Sequence, residues 1–260
     1  MRSPADLPEN ALSLFRFLLK DTIRDWIDFR STDQSRGVAP PPIQKPADPG
    51  AGRVSLPPPA DRDVRRLGEL PLGEAIARRE SVRRYGATPL RLPEVSLLLW
   101  ATQGVRKVAG PTSILRTVPS AGNRHALETY LYCRAVDGVE EGLYRYLPLD
   151  HELVHQRSDP GMAAELVHGC RGQAFAGAAA ATFIWTAIPY RMEWRYSLAA
   201  HKVIAIDAGH ACQNLYLACQ SIGSGTCAIA AYDQKVMDDF LGVDGEEEFV
   251  IYIAPVGKVD

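Results

Sequence analysis

The chain has 260 residues, 46% of them hydrophobic, enough to bury a sizeable core in one large domain or two small ones. Its 29 Lys and Arg oppose 31 Asp and Glu with the signs interspersed, which excludes the basic face that nucleic acid or an anionic membrane would need and leaves small molecules and protein as expected partners. The five cysteines, Cys133, Cys170, Cys212, Cys219 and Cys227, form no C-x-x-C pair and leave an odd count, against a disulfide framework or structural zinc and in favour of a reducing cytoplasm.

From Asn10 to Phe29 the apolar residues Leu12, Phe15, Leu19, Ile23, Trp26 and Ile27 recur every three or four positions, which predicts one amphipathic helix needing a surface to dock on. No basic-then-apolar export signal precedes it. Residues 31–60 are crowded with proline (Pro40 to Pro42, Pro46, Pro49, Pro57 to Pro59), hence extended and without a regular ladder of their own. That segment reads either as a linker or as an arm wrapping the body or a second subunit. Residues 1–60 are therefore set apart from a body over 61–260.

In the body, short helices are expected over Pro71 to Arg79 and Pro93 to Gln103. Thr129 to Ala135 and Gly142 to Leu147 form a hairpin around Asp137-Gly138. A helix at Met162 to Gly169 precedes the buried strand Ala180 to Ile188. The apolar stretch containing that strand is too short for the roughly 18 residues of a membrane span. A long helix runs from Ala199 to Ile222, then strand Thr226 to Ala231, helix Gln234 to Leu241 and strand Glu248 to Pro255. The mixture is an α+β layer fold around a long central helix.

Arg79, Ser81 and Arg83 alternate, so in an extended backbone their donors share one face. Two permanent cations and a hydroxyl suit a phosphate monoester, although an arginine run is also a common solvated face. Pro119-Ser120-Ala121-Gly122-Asn123 is a small-residue loop that lets amides approach a planar ligand, with Ser120 and Asn123 as side-chain hydrogen-bonding groups. Gly223 to Tyr232 is a second such loop. His201 and His210 lie too far apart on the long helix for a metal pair, and no metal site is expected.

The order Arg-x-Ser-x-Arg, Pro-Ser-x-x-Asn, long helix, Gly-x-Gly-Thr and a final strand ending Pro-Val-Gly resembles the nitroreductase superfamily. Leu97 to Gly104, Gly142 to Tyr146, Asp207 to Leu215 and the proline-rich arm look more narrowly like its SagB-type dehydrogenase branch, which includes azoline oxidases. The resemblance implies an FMN-binding homodimer with an antiparallel-rich mixed sheet flanked by helices and two active sites at the subunit interface. By motif, Arg79, Ser81 and Arg83 would hold the FMN phosphate. Ser120, Ala121 and Asn123, from the other subunit, would line the flavin, and Ala230 and Ala231 would turn amides to its N5 edge. Family members often carry a basic tail residue on the flavin; here Lys258 is the candidate.

The resemblance also implies a proton-removing pair at Arg195-Tyr196, where azoline-oxidising relatives have Lys-Tyr. A phenol is a poor base at neutral pH unless a neighbouring cation stabilises the phenolate, and arginine supplies charge without exchanging a proton. The alternative is that Trp194, Arg195 and Tyr196 pack the helix start. The expected activity is two-electron dehydrogenation of an organic substrate on FMN, with a thiazoline- or oxazoline-type ring on a peptide or carrier as the favoured class. The alternatives are NAD(P)H-dependent reduction of nitro compounds or quinones, and a scaffold subunit docking a modification enzyme through its N-terminal helix and arm.

Overall fold

A computed structural model describes residues 10–259. The expected N-terminal helix is broken in two. Helix α1 (Ala11–Leu19) stops where Lys20 turns extended (φ −84°, ψ 149°), and Asp21–Trp26 continues as a 3-10 turn. The Asp21 carboxylate is taken by the Arg24 and Lys202 side chains, and β-branched Thr22 and Ile23 add little helix propensity. Ile23 is buried, while Leu12, Phe15, Leu19 and Trp26 stay exposed in the single chain.

The proline-rich arm lies along the body. The gap between Pro49 and Pro57 contains donors, and there β1 (Arg53–Ser55) forms an edge strand. Upstream, the Lys45 N–H donates to Glu128, Arg145 donates to the Lys45 and Pro46 carbonyls, and the Trp194 indole donates to the Val38 carbonyl.

Helices α2 (Arg62–Leu67), α3 (Leu72–Arg78) and α4 (Leu92–Gln103) follow. Glu94 in the first turn of α4 closes a capping box on the Arg91 amide. A small hairpin, β2 (Val105–Gly110) and β3 (Ser113–Arg116), stands apart as its own sheet. Its alternation is masked by Arg106-Lys107, so residue periodicity shows no clear strand pattern there.

The main sheet has seven strands in the order β1-β6-β5-β4-β7-β9-β8. They are completed by β4 (Leu127–Cys133), β5 (Gly142–Leu147), β6 (Glu152–Arg157), β7 (Ala181–Ala187), β8 (Ser224–Thr226) and β9 (Phe249–Lys258). Every ladder is antiparallel. Parallel pairing is limited to single bridges such as Ser81 to Thr226. The expected strand Thr226 to Ala231 stops at Thr226, because Ala228 gives its N–H to the Tyr216 hydroxyl and only Ile229 returns to β9.

Helices α5 (Met162–Gly169), α6 (Phe175–Ala178), α7 (Tyr190–Tyr196), α8 (Ala200–Ser221) and α9 (Gln234–Leu241) complete the α+β fold. The central strands alternate between two apolar cores. Leu131, Phe183 and Trp185 face a core shared with α4 and α8, whereas Tyr130, Tyr132 and Ile184 face one containing Met162, Leu166 and Phe240 of α5 and α9. Sheet burial on both faces leaves α8 as the inner helix of one layer, with a residual exposed face. All five cysteines are free and buried, and among the described residues no helix is long and apolar enough to cross a membrane.

Candidate active site

Arg79 is the C-cap residue of α3 and begins the extended run to Arg83. Backbone pairing fixes this run against the second small-residue loop: Val82 N–H donates to the Thr226 carbonyl at 3.0 Å. The approach requires Gly225, where a Cβ would meet Val82 Cβ at 2.6 Å. Tyr216 of α8 organises the region. The Arg79 guanidinium carbon lies 5.6 Å from its ring centroid, the Ser81 hydroxyl is 3.1 Å from its hydroxyl, and Ala228 N–H donates to that hydroxyl at 2.9 Å. Arg83 leans over Phe175, 6.0 Å from the ring centroid. The structure thus joins Arg79 and Ser81 at one node and sends Arg83 to a neighbouring ring.

Around this node the Ser224 and Thr226 hydroxyls are buried with no partner among the described residues. Ala230 and Ala231 are exposed at the end of the loop. Lys258 goes elsewhere. Its ammonium donates to Glu94 at 2.7 Å and to the Ile222 carbonyl at 2.6 Å, which satisfies the C-terminal end of α8.

The Pro-Ser-x-x-Asn loop forms a second half-site. Gly122 has φ +57°, and a Cβ there would collide with the Tyr196 hydroxyl and approach Arg195 Nε to 2.9 Å. Only glycine accommodates both the turn and the contact. Arg195 lies over the Tyr196 ring, 5.5 Å from guanidinium carbon to centroid. The structure therefore brings Ser120, Ala121 and Asn123 together with Arg195 and Tyr196, on the adjoining helix α7 that the sequence reading missed. Ser197 directly after them has φ 48° and ψ −133°, a strained conformation for a non-glycine residue.

Five further residues support this loop. His125 Nε2–H donates to Asn123 Oδ1 at 2.8 Å, and its N–H donates to the Ser120 hydroxyl oxygen at 2.9 Å. Burial, reinforced by the Arg116 charge, lowers the His125 pKa to about 3, so the ring is neutral. Asp207 of α8 is buried beneath the loop; burial raises its pKa, opposed by hydrogen bonding from the Ser120 hydroxyl and the Ala121 amide. Glu128, Arg145 and Arg191 form a fully buried ion cluster behind, with Arg191 donating to Glu128 at 2.5 Å. Tyr216 and Asp207 were legible only as helix residues, since their roles depend on loops docked from elsewhere.

The two half-sites lie on one helix but not on one side of it. Asp207 and Tyr216 are nine residues apart, or about 14 Å along the axis and about 180° around it.

A model of the family described as "Nitroreductase family" matches residues 76–258. The chain is 34% identical over 192 residues to "Putative nitroreductase MJ1384" of Methanocaldococcus jannaschii, covering 74% of this chain and 93% of that protein. Among solved structures it resembles a putative nitroreductase of Ralstonia eutropha, with TM-score 0.66 and 26% identity over 85% of this chain and 95% of that one. It also shares a fold with a chain of the E. coli microcin synthetase McbBCD complex with truncated pro-MccB17 bound, at TM-score 0.58 and 16% identity over 99% of this chain and 100% of that one. Both half-sites fall within the matched residues, and the chain belongs to the nitroreductase family of oxidoreductases.

Proposed function

We propose that the protein is an FMN-dependent oxidoreductase that carries out two-electron dehydrogenation of an organic substrate and works as a homodimer. The observation that carries this reading is the Tyr216 node, where one phenol gathers Arg79, Ser81 and the Ala228 amide. A cation, an exposed hydroxyl and closely packed small residues fit a phosphate-bearing planar group. The unpartnered Ser224 and Thr226 hydroxyls fit the same polar group.

Dimerisation is supported by the opposed half-sites. One flat ligand cannot reach both sides of α8 in one chain, whereas a second copy can present its Pro-Ser-x-x-Asn loop to the first chain's clamp. The exposed face of α8 carries Ile206, 47% accessible, and Gly209, whose missing side chain leaves open space. Such a face permits close helix approach.

When bound, FMN supplies the two-electron redox centre. Arg79 and Ser81 would hold its phosphate end with Arg83 reaching it from beside Phe175, Ser120, Ala121 and Asn123 would orient the ring, and Ala230 and Ala231 would present exposed backbone to its edge. Tyr196 takes the substrate proton. Arg195 would stabilise the phenolate form of Tyr196 that accepts this proton and becomes the neutral phenol, and it cannot compete for the proton, because guanidinium keeps its own. Gly122 sets their position against the loop. Lys258, committed to Glu94 and Ile222, acts as an anchor for the site's floor.

A ring on a peptide or carrier is the favoured substrate class. The shared fold with the microcin synthetase chain is compatible with it. NAD(P)H-dependent nitro or quinone reduction is the second reading, favoured by the 34% identical relative named as a nitroreductase. Purified protein is expected to be yellow or to take up added FMN, and a protein that binds none rejects both readings. Anaerobic titration separates them: rapid bleaching by NAD(P)H selects the reductase, and no bleaching selects the dehydrogenase. Binding to a modification enzyme that survives Arg79→Ala and Tyr196→Phe but needs residues 1–60 would instead support a scaffold role.

A further inference from the structure

We infer that the cleft between the β2–β3 hairpin and the Pro-Ser-x-x-Asn loop is an anion-binding subsite, which takes the carboxylate or phosphate of a small, partly apolar organic molecule. The cleft holds about 360 Å³ and is lined by Arg106, Leu115, Arg116, Thr117, Val118, Pro119, Ser120 and Asn123. None of the eight is acidic. That volume suits a small ligand.

The chemistry of the lining divides in two. Leu115, Val118 and Pro119 supply an apolar wall, while Arg106, Thr117, Ser120 and Asn123 supply polar groups at its edge. Arg106 is exposed, yet its Nε–H is tied to the Arg116 carbonyl at 3.0 Å, which pre-orients the guanidinium. Its terminal nitrogens make no hydrogen bond or ion pair among the described residues. A guanidinium held in this way can offer a carboxylate or phosphate two parallel donors.

The ground beneath the cleft is positive. Arg116, Arg124, Arg145 and Arg191 are buried, and Lys45 enters with the arm; the buried carboxylates around them are Glu128, Glu248 and, under the Ser120 loop, Asp207. Five cations therefore face three carboxylates. Burial holds the Arg116 pKa down at about 10, and the same charge helps keep His125 neutral. A low-dielectric floor with excess positive charge focuses a field that attracts anions to the opening.

The consequence rests on the flavin reading: sharing Ser120 and Asn123 with the flavin-lining loop would put the bound anion beside the ring, as substrate or competitive inhibitor. Binding itself does not depend on that reading. Calorimetry on the full chain, with and without saturating FMN, would compare benzoate, phenyl phosphate and neutral benzamide against wild type, Arg106→Gln and Lys107→Gln. Lys107 is exposed on the same hairpin but does not line the cleft, so it controls for net charge.

At least one of the two anions is expected to bind about tenfold more tightly than benzamide, and R106Q to lose about that factor while K107Q does not. The tighter anion identifies the head group. Equal binding of benzamide, no binding of either anion, or equal losses in R106Q and K107Q would overturn the subsite. Failure of FMN to alter absorbance in the same samples would count against the flavin reading alone.

Discussion

Arg79 is where a single side chain is expected to matter most for cofactor capture. Its guanidinium is held over Tyr216 with Ser81 on the same phenol, so Arg79→Ala removes a charge-assisted contact without touching a core. FMN affinity should fall about tenfold or more in a fluorescence titration, with an unchanged melting temperature. Gly122 is a steric counterpart. Gly122→Ala must place a side chain at φ +57° against the Tyr196 hydroxyl, at a cost of about 1–3 kcal/mol. Turnover should drop in G122A more than urea-measured stability accounts for, because Tyr196 is displaced.

His125 makes an acid-sensitive contribution. Its native pKa is lowered to about 3, whereas an unfolded histidine titrates near about 6.5. As pH falls between those values the unfolded chain takes a proton that the folded chain refuses, so stability falls with it. The slope from this residue is about 1.4 kcal/mol per pH unit, with full stability above about 6.5. Urea midpoints measured across that range should show a shallower fall in His125→Gln.

At the scale of elements, the arm is joined to the body through charge. Glu128 of β4 receives the Lys45 N–H, Arg145 of β5 and Arg191 of α7. Attraction to Arg191 and Arg145 outweighs the burial penalty and keeps its pKa below the usual carboxylate value. Glu128→Gln would leave two buried guanidiniums uncompensated, and breaking such a cluster costs about 3–5 kcal/mol. Limited proteolysis should then cut E128Q within residues 31–60, where the wild type resists. Lys258 performs the corresponding service between β9, α4 and the end of α8, and its partners account for a basic residue near the C-terminus without assigning it to a cofactor.

For the whole molecule, the proposed homodimer would make dimerisation and cofactor binding one equilibrium, because the half-sites lie on opposite sides of α8. Gly209 faces open space on that helix, so Gly209→Arg should leave the monomer folded while preventing close approach. Sedimentation should show G209R as a monomer, and flavin uptake should be lost with the dimer. A monomeric G209R that still loads FMN would separate the two.

The order of elements was legible in the sequence because it follows from short-range patterns. Residues Gly142 to Leu147, Met162 to Gly169 and Gln234 to Leu241 have the expected bounds, each marked by periodicity and a local stop. Motif order likewise identified the α+β fold and the family, since several short patterns must recur together. The tertiary structure alone decided the break at Lys20, the end of β8 at Thr226 and the hairpin over the loop. In the first two cases a distant partner, Lys202 or Tyr216, takes a group that local propensity would have assigned otherwise, and in the third the strand pairing itself outweighs the masked alternation. It alone also decided which expected site residues meet. Arg79 reaches Tyr216, Tyr196 reaches Gly122, and Lys258 turns to Glu94, because side-chain convergence is set by the packing of helix on sheet rather than by spacing along the chain.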